Sequence, residues 1–226
     1  MLTSSLTAES FAILSVQRGK VRPFRGPEEP SAIGKVPADG AVKVHRLGLE
    51  GDEQADLSVH GGPDKAIHHY PHDHYAFWRD SIGAHPLLSD FGAFGENIAT
   101  EGLTEDMICV GDRWRLGTAL VEVSQGRQPC WKLDHRFDGA PVNAGVVRSR
   151  RAGWYYRVLE EGEVAAGDRM VLEERPWPEW TVRRVFGLLI AGDHKKDRES
   201  LEALGEVATL AAPWIRRRAK LLGLDA

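Results

Sequence analysis

Apolar and polar positions along the first 175 residues alternate over short spans. Runs such as "FAILSV", "AVKVHRLGL", "ALVEVS" and "RMVLEE" are separated by turns containing Gly and Asp. Short strands at this spacing predict a mainly β fold, a barrel or a sandwich, with few long amphipathic helices. "GDRWRLGTALVEVSQ" reads as a hairpin with Leu116, Gly117 and Thr118 at its turn. A helix is expected to begin near Pro71, placing Tyr75 and Trp78 on one face, and a second to run from about Pro141 to Arg150. Beyond "EERPWPEWTV" the period changes. Val182, Val185, Leu188 and Leu189 follow helical spacing, and "RESLEALG" and "PWIRRRAKLLG" predict two more helices. The chain therefore divides into a β domain, residues 1–176, and a three-helix extension, residues 177–226, with Pro176 and Pro178 at the boundary.

A chain of 226 residues with net charge -4 has the balance of an ordinary globular protein. That charge argues against general nucleic-acid binding, which needs a concentrated excess of Lys and Arg. Arg216, Arg217 and Arg218 in the tail read as a solvated helix face. The amino terminus lacks the pattern of a secretory leader, and no apolar run reaches membrane-spanning length, so a cytoplasmic protein without a membrane partner is expected. Cys109 and Cys130, the only cysteines, are too few for a disulfide framework and fit a reducing compartment.

Three stretches carry candidate chemistry. In "GLEGDEQADLSVHGGPDKAIHHYP", Gly61, Gly62 and Pro63 form a tight loop from which His60 and Lys65 project, although the same residues would also make an ordinary turn. The five histidines from His60 to His74 lack zinc-site spacing. His68 and His69 point to opposite faces of a strand, with His68 inward, and His72 and His74 are expected in solvent. In "FGAFGENIATEGL", Gly95 permits close approach of a ligand, and Glu96 and Asn97 offer hydrogen bonds at a loop tip; a plain turn into a strand fits equally. In "SQGRQPCWKL", Arg127 and Lys132 flank Cys130 and favour its thiolate, suiting it to be a nucleophile or a soft-metal ligand. Cys109, amid apolar residues, reads as a buried structural thiol.

Taken in order, "GLEGDEQAD", "VHGGPDKAIHHYP", "FGENI", "VGD" and "SQGRQPCWKL" resemble the MOSC domain, named after the carboxy-terminal domain of molybdenum-cofactor sulfurases, and within it the bacterial YiiM subgroup. The resemblance implies a MOSC-type β-barrel with a few peripheral helices and the subgroup's three-helix extension. It also implies the molybdenum cofactor, a pterin dithiolene with a phosphate, whose metal is bound by a cysteine matching Cys130. Chemistry and position then make Lys65, Gly61, Gly62, Asn97, Arg127 and Lys132 candidates to hold the cofactor. Glu96 and His60 are candidates for proton delivery or cofactor contact.

The implied activity is reduction of N-hydroxylated small molecules such as 6-hydroxylaminopurine, linked to base-analogue resistance. Electrons must come from a separate protein, because the chain has no cysteine set for an iron–sulfur cluster. Two other readings stay open: a cofactor or sulfur carrier, and a cysteine-nucleophile hydrolase or transferase with His60 as base. The tail is read as a homodimer surface or a cover over the site. In one departure, the chain has Gly126 where family members often have proline.

Overall fold

The computed structural model describes residues 9–26, 28–55 and 61–224. Seven strands close into a barrel. Starting from Ser10–Gly19, the order around it is Arg169–Glu174, Arg113–Leu116, Ala119–Gly126, Trp154–Glu160, Ile67–His69 and Ile98–Thr100, which pairs back with the first strand. Neighbours are antiparallel except Ile67–His69 and Ile98–Thr100, which run parallel. Closure leaves the barrel without a free sheet edge, and strand-wise alternation sorts its faces. Trp114 and Leu116 are buried, while Arg113 and Arg115 point outward to Glu122, Glu174, Glu160 and Glu173 on adjoining strands. The expected hairpin is present, with Ala119 opposite Leu116.

The helices pack around this barrel. Helix α1 (His74–Ile82) buries Tyr75 and Trp78 together, as their spacing predicts, and begins three residues after Pro71. Helix α2 (Trp131–Arg136), which periodicity did not predict, follows Cys130 directly, and α3 (Val142–Ser149) lies within its expected bounds. The tail contains α4 (Val182–Phe186), extended by a wider turn through Gly187–Ala191, then α5 (Arg198–Ala203) and α6 (Ala212–Leu222). Val185, Phe186, Leu204 and Trp214 join the same buried cluster as the barrel's Trp114, Val123 and Trp154. One continuous core thus spans both parts.

Two expectations are corrected. His74 is not solvated: it is buried, and its Nε2 lies 2.6 Å from Glu105 Oε2. Glu105 Oε1 in turn accepts from Gly153 N–H, so a shielded carboxylate gives the histidine a partner that repays its burial. Nor are all three tail arginines solvated. Arg217 donates to the Leu189 carbonyl, and Arg218 donates to the carbonyls of Leu201 and Glu202, so both tie α6 to the preceding helical segments. Of the three, only Arg216 is exposed, while Arg217 and Arg218 are half-buried.

Candidate functional site

The route to Cys130 is set by an irregularity in strand Ala119–Gly126. Its pairing with Trp154–Glu160 shifts register between Val123 and Gln125, as a bulge does. Ser124 fixes the bend by approaching the Asp64 and Tyr155 carbonyls at 2.6 and 3.0 Å. Arg127 N–H then continues the pairing by donating to the Gly153 carbonyl. Buried Pro129 follows, and Cys130 adopts an extended backbone at the start of α2. Gly126 makes this course possible. A β-carbon there would lie 2.9 Å from the rigid six-membered ring of Trp214 and 3.3 Å from Val182, so the tail packs on the strand only because the side chain is absent.

Cys130, Arg127 and Lys132, close together in sequence, line one cavity of about 90 Å³ together with Lys65 from the turn Pro63–Lys65. Its remaining wall includes Lys35, Asp52, His68, Asn97 and Tyr155. Charge is unevenly distributed. Both oxygens of Asp52 bind Lys35 Nζ, at 2.5 and 2.7 Å, and that pair is nearly buried. Burial lowers the Lys35 pKa while Asp52 opposes the shift. Glu53 is turned to Lys20 and the Val21 N–H. With those acids engaged, Lys65, Arg127 and Lys132 give the cavity a positive excess that suits an anionic group. Lys132 also donates to the Pro30 carbonyl.

Two side chains that sequence reasoning did not select complete the wall. His68 and His69 do face opposite ways, but both are buried. His69 is held in the barrel by Tyr156 and Thr100, and burial pushes its pKa down to about 3. The His68 pKa is also lowered well below the usual histidine value, first by burial and then by nearby Arg127, while a hydrogen bond to the Gly95 backbone opposes the shift. Its Nε2 is buried without a hydrogen-bond partner. A neutral ring in that state has an acceptor to offer. Tyr155, whose ring centre lies 5.0 Å from that of His68, keeps its phenol protonated because burial raises its pKa, against the counter-effect of Arg127.

Other predicted residues take different places. Glu96 does not line the cavity: its oxygens accept from Tyr75 OH, Gly92 N–H and Phe94 N–H, all within 3.0 Å. It braces the loop around Gly95, whose positive φ of 76° and close contact with Ile33 leave no room for a β-carbon. The expectation that Glu96 delivers protons is therefore replaced by a structural role. Asn97 lines the cavity, but its amide is occupied. Nδ2 donates to the Gln17 carbonyl and to Asp52, while Oδ1 accepts from the His68 N–H. Gly61 and Gly62 do not touch the cavity; they lead into the turn Pro63–Lys65 that delivers Lys65 to it. His60 lies outside the described residues. Cys109, as expected, is buried, its thiol donates to the Pro178 carbonyl, and burial pushes its pKa up to about 12. The two cysteines are not bridged.

The chain belongs to the MOSC domain family, whose pattern matches residues 56–171. It is 39% identical over 208 residues to Protein YiiM of Escherichia coli, covering 92% of this chain and 91% of that one. It is 40% identical over 186 residues to a protein of Gibberella moniliformis named Reductase, covering 81% of this chain but 33% of that longer one. Among solved structures, YiiM from Geobacillus stearothermophilus superposes with a TM-score of 0.78 at 31% identity, covering 94% of this chain and 99% of that one. These matches support a reductase-type role associated with the molybdenum cofactor.

Proposed function

We propose that the protein is a molybdenum-cofactor-dependent reductase of N-hydroxylated small molecules, with hydroxylaminopurines such as 6-hydroxylaminopurine as its leading substrates. The observation that carries this reading is Cys130 in the wall of a cavity with a positive excess from Lys65, Arg127 and Lys132. That donor set fits the cofactor: a thiolate is a soft ligand suited to molybdenum, and the cations suit the pterin phosphate. Among the described residues no group of three or more His, Cys, Asp and Glu side chains is arranged to hold a metal ion. Cys130 would anchor the metal, and the dithiolene would supply further sulfur donors. When bound, the cofactor supplies the two-electron redox chemistry and the oxygen-accepting metal.

The chain's own residues would bind, orient and manage protons. Arg127 and Lys132 hold negative charge beside Cys130, and Lys65 adds a third cation from the turn Pro63–Lys65. The Lys35–Asp52 pair keeps part of the wall neutral and, through Asn97, fixes the strand carrying His68. His68 Nε2 offers a buried acceptor, and Tyr155 holds a proton on its hydroxyl at the cavity wall. The overall change consumes two electrons and two protons, breaks the N–O bond, and releases the amine and one water. Electrons come from a separate donor protein. We place this chemistry in the cytoplasm; among the described residues no helix is long and apolar enough to cross a membrane.

The test is to incubate protein purified from a cofactor-producing host with 6-hydroxylaminopurine and an electron donor. Adenine should appear, with two electrons consumed per product. Molybdenum-loaded protein that produces none would instead be a carrier, and full activity in metal-free protein would mark Cys130 as an ordinary nucleophile.

A further inference from the structure

Cys130 borders a second cavity, of about 140 Å³, that the cofactor reading does not use. Besides Cys130 it is lined by Gln125, Gln128, Pro129, and by Pro213 and Trp214 at the start of α6. Lys65 and Tyr155 are shared with the first cavity, so these two residues and Cys130 form a common wall. The two spaces differ in chemistry. The first has Arg127, Lys132 and the Lys35–Asp52 pair; among the described residues, the second has two amides, two prolines and an indole, with the shared Lys65 as its one basic side chain. An anionic group is favoured in the first, and a neutral planar one in the second.

Two residues of the second cavity also contain unsatisfied polar atoms. Gln125 Oε1 and Trp214 Nε1 are buried, in side chains that are 2% and 1% exposed, and neither has a hydrogen-bond partner. Buried polar atoms normally find partners, so an unmatched donor and an unmatched acceptor in two side chains that line one cavity point to a ligand that supplies both once those side chains turn toward it. The edge of a nitrogen heterocycle does this, with a ring nitrogen as acceptor and an N–H as donor. Trp214 and the prolines provide flat surfaces for its faces.

We propose that this second cavity is the substrate pocket. It takes a neutral, planar nitrogen heterocycle between Gln125 and Trp214 and presents the exocyclic N-hydroxyl group toward the Cys130 wall. The helical tail thereby supplies one side of the active site. This inference rests on the reductase reading above, and its test separates the two.

In the holoenzyme, the indole N–H resonance of Trp214, assigned by its loss in Trp214→Phe, is followed as 6-hydroxylaminopurine is added. A saturable shift is expected. Gln128→Trp, at an exposed position on the cavity wall, should fill the space, abolish the shift and raise KM for 6-hydroxylaminopurine at least tenfold at unchanged molybdenum content. If wild type reduces the compound while the Trp214 resonance stays fixed, or if Gln128→Trp leaves KM unchanged, the pocket assignment is overturned and the reductase reading stands. If the resonance shifts but no reduction occurs with a competent donor, the pocket stands and the reductase reading falls. The wild-type titration decides the assignment even if Gln128→Trp fails to fold.

Discussion

At the scale of single residues, burial decides what each ionisable group can do. His69 accepts no proton until about pH 3 in the folded barrel, whereas in the unfolded chain it titrates near 6.5. Below pH 6.5 the unfolded state therefore binds more protons, and stability falls as pH drops from 6.5 toward 3. His68, also lowered, acts in the same direction. Between pH 6.5 and 5.5, His69 alone should account for a loss of about 1 kcal/mol. Urea midpoints of wild type and His69→Gln across that interval test this: wild type should lose more. Equal losses would mean the folded chain protonates His69 readily. The same scale explains how much of the site could be read in advance. Cys130, Arg127 and Lys132 were legible because adjacent residues with matched chemistry stayed together in space. Glu96 misled, because a carboxylate beside a glycine looks the same whether it faces a ligand or caps two backbone N–H groups. Lys35 and Tyr155 were not legible at all, since only closure of the barrel brings them to Cys130.

At the scale of elements, strand Ala119–Gly126 and helix α6 depend on each other through one missing side chain. A β-carbon on Gly126 would stand only 2.9 Å from the Trp214 ring. Gly126→Ala should therefore cost about 1–3 kcal/mol by overpacking a buried contact. Replacing Trp214 by the smaller Phe should relieve part of that cost. A double-mutant cycle by urea denaturation should show coupling above about 0.5 kcal/mol, and additivity within that margin would mean the two do not press on each other. The departure at Gly126 was visible in the sequence, but its reason was not, because its partner lies 88 positions further along the chain. Strand and helix types were largely legible from periodicity. Helix α2, six residues long, is too short to show a period and went unread.

At the scale of the whole molecule, the barrel and its extension share one core, and their junction lies beside Cys130. The polar pairs on the barrel exterior are mostly exposed and contribute little to stability individually, whereas the buried Glu105–His74 and Asp52–Lys35 contacts and the part-buried Asp112–Arg175 contact fix loops to one another. What the assembly accomplishes is to present one thiol to a cation-rich cavity and to a second, less charged one. The central claim is that this thiol holds molybdenum. Molybdenum and pterin content should be measured in wild type and Cys130→Ala made in the same cofactor-producing host, with folding confirmed by matching far-ultraviolet circular dichroism. Wild type should contain close to one molybdenum per chain and Cys130→Ala less than a tenth of that; equal molybdenum in the two proteins would contradict the assignment.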